Sequence, residues 1–373
     1  SLIYEVTAQG QVLAASGPAT LCTEQTGFVS GTVEKFSGQL SYSFRYDAEQ
    51  AACPAYRPAA VLPDEAAAYH PRPIPQLLTG EPVPARIAAQ GVFRQSQEKE
   101  SGRRMQSAWL RHKPFGKIAR GSALLPSEEG TVLACDEGDG LYVLLDLGKE
   151  QAGYLLLDME LPAPCRVDGG FGEHLEDLRV RTAVDDRNFA FTLNLQAGRS
   201  RFFWPVKRLG CRYLQLHVES RHIRLFYAGV RPVEYPAAAE HMPAGLSGLQ
   251  RRIYEVSADT LRRCMHEHYE DCPWREQALY AMDSRNQMLF GYDAFGETVF
   301  PRENLRLLGL GLREDGLLEL CAPSRADVNI PSFSMMYVVA LWENLLFSGD
   351  RAFAREMLPV AETIVKTALA RVR

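Results

Sequence analysis

The chain has 373 residues, of which 46% are hydrophobic and 23% charged, the mixture of an ordinary folded protein, so wholesale disorder and fibrous repeats are excluded. Lys and Arg total 41 against 46 Asp and Glu, a net charge of −5 with no basic run, so neither nucleic acid nor a membrane is an expected partner. The length predicts two or three domains at roughly 150 residues each. Eight cysteines are spread along the chain without a CxxC pair and read as scattered thiols, not a disulfide framework or zinc ribbon. No apolar run approaches the roughly 18 residues that span a bilayer. No signal-peptide pattern opens the chain, and a cytoplasmic location is the expectation. Ser1 stands without an initiator Met, directly in strand-like sequence, so the start reads as a cut and not a natural terminus.

From Leu2 to about Pro236 the texture is β. The runs Ile3–Val6, Leu40–Phe44, Leu141–Leu147, Tyr154–Leu161, Phe189–Leu195 and Tyr213–Val218 are rich in aliphatic and aromatic residues and punctuated by Gly, Pro, Asn and Asp. Their spacing suits β-sandwiches. The Pro/Ala-rich stretch Ala51–Pro84 reads as an extended surface connector. From about Pro243 the period becomes helical. Leu249, Ile253, Val256, Thr260 and Cys264 form an amphipathic stripe, followed by Leu305/Leu308/Leu312 and Met336/Val339/Ala340/Leu346. A last helix carries Phe353, Met357, Val360 and Ile364. Before it, Gly349 suits a helix end and Asp350 a helix cap. The pattern is a series of αα hairpins, too irregular for a repeat array. Its inner faces are incompletely covered by about five helices, which predicts further chain beyond Arg373.

The stretch richest in chemistry is His266–Asp283. Pro273 suits the first turn of a helix, with Asp271 or Cys272 as its cap. On that helix Glu276, Tyr280 and Asp283 fall within about 40° of one another at 100° per residue. Two carboxylates and an aromatic ring would then share a face, with Asp271 close by. Such a set can act as general acid, hydroxyl ligand and cover for an apolar sugar face. A Glu in the first turn of a helix is held ionised by the helix dipole, which opposes the acid role. By spacing alone the same face serves equally as a solvated or capping acidic surface.

Asp271-Cys272-Pro273-Trp274-Arg275-Glu276, with Asp283 following, resembles the Asp-Cys-Pro-x-Arg-Glu…Trp-x-Gly-Asp signature of bacterial α-L-rhamnosidases, inverting glycoside hydrolases of the six-hairpin class. Gly172–Asp177 and Phe203…Gly210–Gln215 are similar to that family's β-sandwich, and Ile330–Ser334 and Leu346–Asp350 to later hairpins of its barrel. The resemblance covers most of residues 130–370. It implies a multidomain β + α chain, with jelly-roll-like β-sandwich domains followed by the first half of an (α/α)6 barrel. The expected division is a β-rich segment at 1–118, a sandwich at 119–236 and a partial barrel at 237–373.

The activity implied is removal of terminal α-L-rhamnose with inversion. Matched by motif, Glu276 is the general acid, Asp271 and Asp283 hold sugar hydroxyls, Arg275 contacts sugar or braces Glu276, and Tyr280 stands where the family has a stacking Trp. The Trp-x-Gly-Asp segment reads Tyr280-Ala281-Met282-Asp283 here, and Ser332 replaces an Asp. The family's general base lies in the second half of the barrel, so the 373 residues alone are expected to be inactive. A carbohydrate substrate and at most a second copy of the chain are the expected partners. No cofactor or metal is expected, though some relatives carry a structural calcium. The alternatives are the same scaffold acting on another terminal sugar or uronide, and a non-catalytic carbohydrate-binding protein.

Four weaker features read more plainly. His266 and His268 point to opposite sides if helical and read as surface or capping residues, not zinc ligands. Asp136–Gly140 lacks calcium-loop spacing and reads as a turn before a strand. Glu173 and His174 belong to a polar loop that could lean over the pocket. Trp204, Trp274 and Trp342 read as packing anchors, with Trp274 the one placed inside the acidic motif.

Overall fold

The computed structural model describes residues 5–29, 34–61, 71–115, 123–124, 126–322 and 328–372. The expected boundary at 118/119, residues 62–70 of the Pro-rich connector and the first half of Ile3–Val6 lie outside them. The described chain is mixed β and α. An 11-stranded curled sheet is built from segments between Arg45 and Glu234. Two short helices, α1 (Ala48–Ala51) and α2 (Ser101–Ser107), lie within this half. Five longer ones follow it: α3 (Gly248–Arg263), α4 (Ala281–Phe295), α5 (Val299–Gly309), α6 (Pro331–Ser348) and α7 (Arg351–Arg371).

The sheet curls because its longest strands bend. The predicted runs Leu141–Leu147 and Tyr154–Leu161 are two halves of one strand, Gly140–Leu161. Its first half lies between Ala85–Arg94 and Tyr213–Val218. Register breaks between Asp146 and Gln151, where Gly148 takes a φ of +81° that a side chain would resist. The second half then pairs with His222–Glu234 and with the start of the Gly198–Val218 strand. A strand that changes neighbours at a bulge turns a corner and lets one sheet close over a core.

Alternate residues supply that core. Leu141, Val143 and Leu145 from one half and Leu155 and Leu157 from the other are all buried, with Leu214 and Leu216 opposite. The N-terminal segment joins the same core. Arg45–Asp47 pairs in parallel with Thr192–Asn194, and Phe44 stacks on Phe191 at 5.0 Å.

The helices begin and end where short-range chemistry places them. Ser247 and Gln250 form a reciprocal capping box at the start of α3. Pro331 opens α6, Gly349 closes it at φ +68°, and the Asp350 carboxylate accepts the Phe353 N–H at 2.9 Å to start α7. Leu305, Leu308, Phe353, Met357 and Ile364 face a helical core, as their periodicity predicts.

Three apolar expectations differ, the first in α6, where Leu346 is 59% exposed and Tyr337 and Ala340 face the core. In α3 the stripe Leu249, Ile253 and Val256 faces outward, and Ala258 and Leu261 make the contact with the rest of the protein. Trp342 is 59% exposed, whereas Trp204 and Trp274 are buried in the sheet core.

Candidate active site

The segment 271–280 is not helical. Residues 273–276 form a turn, Leu279 makes an isolated bridge, and α4 begins only at Ala281 with the extended Tyr280 as its flanking residue. The chain is held out of a helix by tertiary partners. Asp271 and Ala278 bond across the turn, with Asp271 N–H donating to Ala278 O and Ala278 N–H donating to the Asp271 carboxylate, each at 3.0 Å. Leu279 pairs with Ala322, and Gln277 takes a φ of +50°. Pro273 therefore opens a turn, a role its fixed φ suits as well as a helix start. The dipole conflict anticipated for Glu276 disappears with the helix. It is Asp283 that occupies a helical first turn.

The expected side chains still converge, by a different route. Tyr280 donates its hydroxyl to Glu276 Oε2 at 2.7 Å, and Gln39 Nε2 donates to the Tyr280 oxygen at 3.3 Å. Arg187 Nη2 lies 3.7 Å from the other oxygen, Glu276 Oε1. Asp271 and Asp283 are both pushed above the usual carboxylate range, by burial first and then by the negative field of Glu276. Burial, followed by the bond to Glu276, also raises the Tyr280 hydroxyl. Glu276 thus bonds the phenol and acts electrostatically on both Asp271 and Asp283. Arg275 is exposed, and it is its backbone carbonyl that is held, by the Ser37 hydroxyl at 2.9 Å.

The curled sheet forms the floor under this loop. A Cβ on Gly210 would lie 1.9 Å from the Pro273 carbonyl oxygen, so the two backbones touch. Trp274 inserts among the sheet's own core residues, 4.5 Å from Phe189 and 5.5 Å from His174. Gln277 Nε2 donates to Arg208 O at 3.2 Å and Pro273 O at 2.7 Å. Gly210→Ala is expected to cost about 1–3 kcal/mol, because backbone cannot yield as a flexible side chain can. A lowered denaturation midpoint would show it, and an unchanged one would mean the contact gives way freely.

His266 is neither a surface nor a capping residue. It is fully buried, its Nδ1 3.1 Å from Glu270 and its Nε2 2.9 Å from Val233 O. Glu270 is also buried and bonded by Arg208 from the sheet. The Asp136–Gly140 segment is the expected turn. Gly138 takes a φ of +74°, and Asp139 accepts Gln95 N–H at 2.8 Å just before the strand at Gly140. Among the described residues no group of three or more His, Cys, Asp and Glu is arranged to hold a metal ion. No described helix is long and apolar enough to cross a membrane.

Glu173 and His174 do lean toward the loop. The carboxyl of Glu173 is raised by burial, against the pull of Arg275. A cavity of about 720 Å³ opens behind it, lined by Glu150, Glu173, Asp259, Arg263 and Pro273 among others. Glu150 is pushed up to about 8 there, by burial and then by Glu173. The cavity meets the loop at Pro273 and includes none of Glu276, Tyr280 and Asp283, so it is a separate space behind the carboxyl cluster.

Ser37, Gln39, Arg187 and Arg208 were not anticipated as partners of the loop, nor Glu270 as the partner of Arg208. Glu270 adjoins the motif and could have been suspected. Gln39 and Arg187 are far away in the chain and lie in no recognisable pattern.

No family model and no curated protein matches the chain. Solved structures do. The GH78 family rhamnosidase of Bacillus sp. GL1 aligns over 100% of this chain and 58% of its own, with a TM-score of 0.78 and 18% identity. The rhamnosidase from Klebsiella oxytoca, solved with rhamnose bound, aligns over 81% of this chain and 58% of its own, with a TM-score of 0.62 and 23% identity. The Streptomyces avermitilis α-L-rhamnosidase complexed with L-rhamnose covers 69% of this chain and 26% of its own, with a TM-score of 0.51 and 16% identity. The fold is therefore that of α-L-rhamnosidases, and the chain spans 58% of the length of the first two.

Proposed function

We propose that this chain is the acid-bearing part of a glycoside hydrolase that removes terminal α-L-rhamnose with inversion of configuration. The observation that carries the reading is the Tyr280–Glu276 hydrogen bond at 2.7 Å in a loop and helix start that also bear Asp271 and Asp283, set on a fold shared with rhamnosidases. Glu276 is the general acid. Its proton passes to the glycosidic oxygen as the bond from that oxygen to C1 breaks, and the leaving group departs as a neutral alcohol. Water adds to C1 from the opposite face and gives its proton to a second carboxylate acting as base.

Asp271 and Asp283 bind sugar hydroxyls, and Tyr280 both orients Glu276 and walls the pocket. Arg275 acts at the rim. No cofactor is required by this chemistry. The domain division at 118/119 and 236/237 belongs to the same proposal, with a β-sandwich leading into the first half of an (α/α)6 barrel. The outward apolar residues Leu249, Ile253 and Val256 of α3 and Leu358 and Leu369 of α7 support it, since a closed ring of helices would cover such faces.

The test is turnover of phenyl α-L-rhamnoside by the protein expressed from its full reading frame. Release of phenol and rhamnose supports the reading. A folded protein that cleaves another terminal glycoside in its place would redirect the proposal to that sugar.

A further inference from the structure

The two oxygens of Glu276 have different neighbours. Oε2 accepts the Tyr280 hydroxyl at 2.7 Å, and Tyr280 is in turn supported by Gln39. Among the described residues Oε1 accepts no such hydrogen bond, and it faces Arg187 Nη2 at 3.7 Å. A carboxyl oxygen already accepting a hydrogen bond is poorly placed to carry the transferable proton, so the proton leaves from Oε1. The glycosidic oxygen must then come within about 3 Å of Oε1, and the group attached to it passes beside Arg187.

Arg187 has the character of a binding residue. It sits on the hairpin formed by Ala183–Val184 and Arg187–Asn188, which belongs to the β half of the chain. Its side chain is 25% exposed, and among the described residues Glu276 is its one ion-pair partner. At 3.7 Å that partner lies beyond hydrogen-bond reach, so among the described residues nothing engages the guanidinium fork as a hydrogen-bonded carboxylate would. The tip residues Asp185 and Asp186 share the hairpin, and neither pairs with it among the described residues.

Resting on the rhamnosidase reading, we infer that Arg187 selects the leaving group, favouring rhamnosides whose aglycone carries a carboxylate close to the glycosidic oxygen. Arg187 takes that carboxylate through its fork as Glu276 protonates the adjoining oxygen. Once the proton has left, the same cation faces the newly charged Oε1, so both partners gain along the reaction. The hairpin of the β half thereby becomes part of the aglycone subsite.

The test compares kcat/KM of the protein from its full reading frame on 3-carboxyphenyl and 3-carbamoylphenyl α-L-rhamnosides, whose phenols have comparable acidity. At low salt the anionic substrate is expected to be favoured by about 10-fold, a preference that salt reduces. Arg187→Gln brings the ratio to about one, Arg187→Glu takes it below one, and Arg187→Lys keeps part of it. Melting temperature confirms that each variant is folded. A wild-type ratio near one with turnover of the neutral substrate overturns this inference and leaves the rhamnosidase reading standing. Equal losses on both substrates in Arg187→Gln also overturn it, making Arg187 a positioning residue for Glu276. Turnover of neither substrate by wild type overturns the rhamnosidase reading, and this inference with it.

Discussion

Glu276→Gln is expected to lower turnover of phenyl α-L-rhamnoside by about 10²–10⁴-fold, the range general acid catalysis supplies. The substitution keeps the side-chain volume and an amide oxygen that still accepts the Tyr280 hydroxyl, so the loop should remain in place. What is lost is the proton. The size of the loss should therefore depend on the leaving group. With 2,4-dinitrophenyl α-L-rhamnoside, whose phenolate departs unaided, the deficit should shrink by an order of magnitude or more. Parallel measurement of kcat/KM on the two substrates checks this. The same deficit on both would place Glu276 outside the acid role.

Glu270→Gln is expected to cost about 3–5 kcal/mol of stability, the largest effect of any single substitution considered. Glu270 is 1% exposed and sits between Arg208 of the sheet and His266, so it carries charge across the join between the β and helical halves. Burial alone would raise its carboxyl. Arg208 first and then His266 outweigh that and bring it down to about 2. A carboxyl lowered in the folded state stabilises above its unfolded value, about 4.3, and loses that contribution as pH falls through its folded value. The difference between wild type and Glu270→Gln should therefore be full at pH 7 and narrow from about pH 4 toward 2. Chemical denaturation at several pH values measures it. The double variant Arg208→Met/Glu270→Gln should recover part of the loss, because it no longer strands the guanidinium. A single variant as stable as wild type would mean that water reaches the cluster.

The loop 271–280 shows what local sequence could and could not tell. Asp271, Glu276, Tyr280 and Asp283 are contiguous enough to be singled out together, and they do gather. The helix assigned to them is absent because Pro273 and a preceding Asp suit a turn as well as a helix start. The decision is made by Gly210 beneath Pro273, Ser37 on the Arg275 carbonyl and Ala322 beside Leu279, all remote in sequence. In the same way, the stripe of α3 specified a helix but not which face would be covered. The Gly349-Asp350 junction was legible to the residue, since a left-handed Gly and an N-cap Asp act within one turn of themselves. His266 misled for the opposite reason. Its partner Glu270 lies within reach on a helix too, but Val233, whose carbonyl meets the ring at 2.9 Å, is remote in sequence.

The measurement that bears most directly on the account is proton NMR of phenyl α-L-rhamnoside hydrolysis by the protein from its full reading frame, read before the anomers equilibrate. The account predicts β-L-rhamnose as the first sugar formed, with Glu276 and a distant base acting on opposite faces of the ring. First appearance of α-L-rhamnose would contradict it, since retention requires a nucleophile close to Glu276 in place of an activated water.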